Sequence, residues 1–130
     1  MSYYEALPIY RAAMALTVAV ERVVQRLPKG HKYALGARLR DSSLDVVTLV
    51  ARANRRAERA RVLAELCDRV EDLKILLQVG KEVQAFGSFK QFAELMEQVV
   101  ALARQAEGWR RASVAQSRSE LTHERPTRAT

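Results

Sequence analysis

Residues 27–40 read LPKGHKYALGARLR. Pro28 and Gly30 break any helix that precedes them. Tyr33, Leu35 and Leu39 then restart an apolar pattern at helical spacing. A long apolar-periodic segment lies on each side, so the stretch reads as the bend of a helical hairpin. It is also basic: Lys29, His31, Lys32, Arg38 and Arg40 put positive charge on the turn and just beyond it.

Outward from this bend, the N-terminal arm is a helix that starts at Pro8, a residue suited to the first helical position. Ile9, Ala13, Leu16, Val20, Val23 and Leu27 repeat at steps of four and three, which is a bundle seam. Tyr10, Met14 and Val24 widen its apolar face, and the opposite stripe is Arg11, Ala15, Val18, Arg22 and Gln25. The second helix is expected from about Lys32 to Ala53. Its seam is Leu35, Leu39, Ser42, Val46, Leu49 and Ala53, with a second apolar stripe at Leu44, Val47 and Ala51. Its polar stripe, Arg38, Asp41, Asp45, Thr48 and Arg52, is narrow. A helix apolar on two sides in so small a domain has more to bury than one core, which points to self-association.

Asn54 to Arg61, NRRAERAR, is the next connection, with Asn54 suited to a helix end. A third helix then carries Leu63, Leu66, Val70, Leu73, Leu77 and Gly80 on its seam and is expected to end at Gly87. Ser88 is placed to cap a fourth helix, whose seam is Phe92, Met96, Val99, Ala103 and Ala106. From Ala112 to Thr130 the chain is rich in Ser, Thr and Arg and reads as a flexible polar tail. Four helices with short connections specify an all-α fold, an antiparallel up-down four-helix bundle over residues 7–111, followed by the tail at 112–130.

Composition agrees. The 130 residues are 48% hydrophobic with only 5 Gly and 3 Pro, a balance that favours long helices. The lone cysteine, Cys67, excludes an internal disulfide. No apolar run approaches the ~20 residues of a membrane span, and the N-terminus lacks the charged and apolar regions of a signal peptide. A cytoplasmic protein is expected.

Catalysis finds no support in the residues. His31 and His123 fall in a turn and in the tail, away from inward acidic partners. The Glu-x-x-His pattern of di-metal bundles is absent. Cys67 borders a seam and has no zinc partners at suitable spacing. Gly30, Gly87 and Gly108 read as helix punctuation, not a phosphate loop. No enzyme, metal or cofactor is expected.

The charge distribution is informative. The net charge is +7. Between Arg22 and Arg61 eleven basic residues oppose three acidic ones, whereas residues 62–108 are net acidic at −3. A polarised basic region fits a polyanionic partner. The plain alternative is an arginine-rich solvated surface. Arg55, Arg56, Arg59 and Arg61 crowd one interhelical connection, and Lys29 and Lys32 crowd the other end, about 30 Å away by helical rise. Arg38, Arg40 and Arg52 lie on the helix between them. Arginine forks grip phosphate in pairs, so the expected surface contacts nucleic-acid backbone rather than bases.

Two segments also resemble a known family. LPIYRAAMALTVAVERVVQRLPKGHKYALGARLRDSSLDVVTLVARANR and LLQVGKEVQAFGSFKQFAELMEQVVALARQAEGWRR look like the accessory variability determinant (Avd) family of diversity-generating retroelements. The telling pieces are Leu-Pro-x-x-x-Lys-Tyr-x-Leu-Gly-x-Arg at Leu27–Arg38 and the pair Gly108–Trp109. The resemblance implies a homopentameric, ring-like barrel of four-helix bundles. It also implies association with the retroelement reverse transcriptase and with its template RNA, in support of mutagenic cDNA synthesis without a catalytic site of its own; DNA is a further expected partner of the basic surface. Four-helix proteins of 23S rRNA intervening sequences share a similar first hairpin, and a structural oligomer that meets an acidic protein is a further alternative.

Overall fold

The computed structural model describes the backbone of residues 3–128 and the side chains of residues 4–121. Among these there are helices and no strands. A 3-10 turn, Tyr3–Ala6, precedes α1 (Pro8–Arg26), a one-turn α2 (Lys29–Lys32), α3 (Leu35–Ala53), α4 (Arg59–Glu82) and α5 (Phe89–Arg128). The helices form a bundle in which α1 packs on α3 and α5, and α4 packs on the same two. The core between them is aliphatic. Leu16, Val20, Leu39, Val46, Leu63, Leu66, Leu73, Leu77 and Leu102 are all but fully buried. Each buried side chain of this size removes ~1.5–3 kcal/mol worth of apolar surface from water.

Seams and boundaries follow the apolar periodicity closely, with instructive departures. Within the 27–40 bend, Lys29–Lys32 is a one-turn helix of its own, and the next long helix starts at Leu35 rather than at about Lys32. The His31 and Lys32 amides both donate to the Pro28 carbonyl, each at 2.9 Å, and the chain then breaks at Tyr33 and Ala34 before α3 begins. Gly36, in the first turn of α3, lies against α1: a Cβ there would sit 2.9 Å from Val24 Cγ1. On α3 the seam serine is Ser43, buried with its hydroxyl donating to the Arg40 carbonyl at 3.0 Å. Ser42 is one position round, facing α4, and its buried Oγ has no partner.

The third expected helix stops at Glu82, ahead of Gly87. Gln84 takes a left-handed φ of 57°. Its amide donates to the Lys81 carbonyl at 3.1 Å and the Ala85 amide donates to the Gly80 carbonyl at 2.9 Å. These two bonds are a Schellman closure built on glutamine where glycine is usual. Phe86 then folds back onto Gly80, where a Cβ would lie 2.6 Å from its ring. Ser88 caps α5 as expected: its Oγ accepts from the Gln91 amide at 3.1 Å, and Gln91 Oε1 accepts from the Gly87 amide at 3.0 Å. This pair is a variant of the capping box in which Gln91 reaches the amide one residue ahead of the cap.

Residues 112–128 depart most from expectation. No break occurs at Ala112, and Gly108 does not punctuate: α5 runs on to Arg128. Between Arg111 and Leu121 there is neither glycine nor proline to stop it, and Gln116 reaches Glu120 one turn on. The described residues of the extension add nothing to the core, which ends at Ala106 with Trp109 packed beside it.

Candidate nucleic-acid interface

The α3–α4 connection lies at the end of the bundle where α3 stops and α4 begins. Arg52, Arg55 and Arg56 are all exposed there. Arg52 and Arg55 make no ion pair among the described residues. Arg56 reaches Glu120 of the α5 extension at 3.3 Å, with both side chains largely in solvent. Such exposed pairs hold their partners weakly.

Arg59 and Arg61 differ. Arg59 Nε donates to the Ala53 carbonyl at 2.8 Å and Nη2 to the Asn54 carbonyl at 2.7 Å. Its guanidinium also sits 5.9 Å from the Trp109 ring centroid. These contacts satisfy carbonyls that the end of α3 leaves unpaired. They fasten α3, α4 and α5 together, so Arg59 is a structural residue. Arg61 lies 3.2 Å from Glu58 and 3.9 Å from Glu65.

The residues expected to link the two basic ends divide between opposite sides of α3. Arg40 turns to α1 and forms a bidentate pair with Glu21, Nε–Oε2 2.6 Å and Nη2–Oε1 3.0 Å. That fork holds the Glu21 carboxyl below its usual range and raises the Arg40 pKa. Arg38 turns to α4. It lines a groove of about 340 Å³ with Asp41, Asp45, Arg69 and Asp72. Three carboxylates against two guanidinia make that groove a poor track for phosphates. The basic surface is therefore two clusters and not one continuous stripe. The second cluster is on α2, where Lys29 is exposed and His31 and Lys32 are half-buried.

The sequence reading omitted arginines that α5 carries to the α3–α4 end. The Arg56–Glu120 contact places the extension beside the connection. Arg111, 77% exposed, and Arg118 belong to that stretch. A cleft of about 340 Å³ between it and the connection is lined by Arg56, Ser113, Gln116 and Ser117, among others. The signal for it is the absence of glycine and proline from Trp109 to Arg125.

Nearby, Arg110 grips Glu107 through Nη2–Oε1 2.6 Å and Nε–Oε2 3.1 Å. This pair, chiefly through its hydrogen bonds, holds the Glu107 carboxyl at about 2. The half-buried Cys67 thiol donates to Glu107 Oε2 at 3.6 Å. Burial first, and that bond second, push its pKa up, which makes it a poor nucleophile. Among the described residues no group of three or more His, Cys, Asp or Glu is arranged to hold a metal ion. His123 lies outside the described side chains. Among the described residues no helix is long and apolar enough to cross a membrane.

The described residues thus form a helical bundle that carries a cluster of exposed and half-buried basic side chains at each end of α3. The comparison with protein families is specific: the model described as bAvd-like matches residues 12–113. The chain belongs to the bAvd-like family. No curated protein matches it.

Proposed function

We propose that this chain is a non-enzymatic accessory subunit of a retroelement reverse transcriptase, working in the cytoplasm. In this reading it is an antiparallel up-down four-helix bundle that assembles into a homo-oligomeric ring, a pentamer by family resemblance. It binds template RNA, and DNA, through phosphate contacts and so supports mutagenic cDNA synthesis. It needs no cofactor.

The observation that carries the reading is the cluster of solvated arginines Arg52, Arg55 and Arg56 at one end of the bundle, in a chain of the bAvd-like family. Arginines held in water without strong internal partners can exchange water for phosphate at small cost. Binding then releases counterions, so log affinity falls with log salt, by roughly 0.7 per contact on a single strand and 0.9 on a duplex. The test is a salt series with structured RNA for the wild type and for Arg52→Gln/Arg55→Gln/Arg56→Gln. The expected result is normal melting, weaker binding and a salt slope flatter by about 2. An unchanged affinity and slope would show the cluster to be an ordinary solvated turn.

A further inference from the structure

Two exposed stripes, on helices that do not touch each other, span the same length and end in opposite charges. On α1 the stripe is Arg11, Ala15, Val18 and Arg22, with Met14 beside it. All are exposed, Met14 by 40% and Val18 by 42%. They form much of a shallow apolar groove of about 480 Å³. On α4 the stripe is Glu71, Ile75, Val79 and Glu82. These too are exposed, Ile75 by 57% and Val79 by 46%. Eleven residues separate the two arginines and eleven separate the two glutamates, about 16 Å of helix in each case. Each stripe is thus charge, two apolar positions, charge.

The helices that carry them are not neighbours: α1 and α4 each pack on α3 and α5. Neither stripe is covered within one chain. Pairing either stripe with its own copy sets its like end charges together, which Glu5 at the edge of the α1 groove and Lys74 and Lys81 beside the α4 stripe soften but do not remove. A two-fold contact of α1 on α1 sets Arg11 against Arg22 or against itself, and α4 on α4 does the same with Glu71 and Glu82. Like charges at a contact are unfavourable. An α1 stripe on an α4 stripe brings four unlike charges together around an apolar centre. Glu71 already lies 2.9 Å from Lys74, and Glu82 4.0 Å from Lys81. Both are partly exposed pairs, easily exchanged.

We propose that the α1 stripe of one copy docks on the α4 stripe of the next. This rests on the oligomeric reading above and adds to it the two faces and their head-to-tail pairing. The contact joins two different patches, so each copy has one of each to offer, and assembly continues until it closes on itself.

The test uses two variants, Val18→Glu on α1 and Val79→Glu on α4, in the full chain, with mass measured by light scattering at micromolar concentration. Both positions are exposed, so helicity and melting should be preserved. If either variant loses helicity, Val18→Thr and Val79→Thr replace the pair. The expected result is an oligomeric wild type, two monomeric variants, and a 1:1 heterodimer on mixing, because the mixture retains one intact junction. A wild-type oligomer with either variant still at wild-type mass, or with no heterodimer on mixing, would overturn the paired faces and leave oligomerisation standing. A monomeric wild type would overturn both. A mixture in which only the α1 variant falls apart would show an α1–α1 contact instead.

Discussion

Arginine does three different jobs in one short connection, and residue type alone does not separate them. Arg55 stands in solvent, Arg61 lies among acidic neighbours, and Arg59 bonds two backbone carbonyls. Charge-assisted hydrogen bonds contribute roughly 1.5–3 kcal/mol. Arg59→Gln should therefore lower stability by about 1–3 kcal/mol in urea unfolding, and Arg55→Gln should stay within ~0.5 kcal/mol. Equal effects would remove the distinction. A second prediction concerns Glu107, whose pKa is held at about 2, below the ordinary ~4.3 of a glutamate. The folded state binds this proton less readily than the unfolded chain does. The stabilising contribution is then fully present above ~pH 4.3 and is lost as pH falls toward 2. The stability gap between wild type and Glu107→Gln should be constant near neutral pH and close between about pH 4.3 and 2. A gap independent of pH across that window would show that the Arg110 pair does not set the titration.

At the scale of elements, what could be read from the chain was whatever periodicity encodes. Seams such as Ile9–Leu27 and Leu63–Gly80 are buried as read, because a four-three repeat has only one way to face a core. The Ser88 cap was legible because its chemistry is local. The ends of elements were less so. The α4 stop depends on Gln84 in a left-handed conformation that glutamine seldom takes, held by two backbone bonds that no side chain announces. The α5 extension reads as a tail because it has few apolar residues, yet a helix already nucleated propagates through a stretch free of glycine and proline. Since none of the described residues beyond Trp109 joins the core, truncation after Arg111 should leave the urea midpoint nearly unchanged; a large drop would give the extension a structural role. Gly36 makes the opposite prediction. Alanine gains helix propensity, at most ~1 kcal/mol, but its methyl meets Val24, a buried β-branched side chain with little freedom to move. Overpacking costs roughly 1–3 kcal/mol, so Gly36→Ala should be net destabilising.

Across the whole molecule the expected contact residues fall into two end clusters with Arg38 and Arg40 turned aside between them, a division that a charge count along the chain could not reveal. The count treats Arg38 and Arg40 as part of one region, whereas helical geometry sends them to opposite sides of α3 and sets Asp41 and Asp45 beside Arg38. The α2 cluster and the Arg52–Arg56 cluster are separated by the length of α3, about 27 Å at 1.5 Å per residue. The Debye length at physiological salt is ~8 Å, so neither cluster feels the other's field appreciably. Sites so far apart with no shared partners act additively. For an RNA long enough to reach both ends, the loss of salt slope in Lys29→Gln/Lys32→Gln and that in the triple arginine variant should therefore sum in the combined variant. For an oligonucleotide shorter than the separation, removing one cluster should leave binding at the other with its own slope. Salt series with the two RNA lengths measure both quantities. A combined loss well below the sum with the long RNA would mean that the ends do not engage one strand together. Abolished short-RNA binding after loss of the arginines alone would assign the whole interface to the α3–α4 end and reduce Lys29 and Lys32 to a solvated turn.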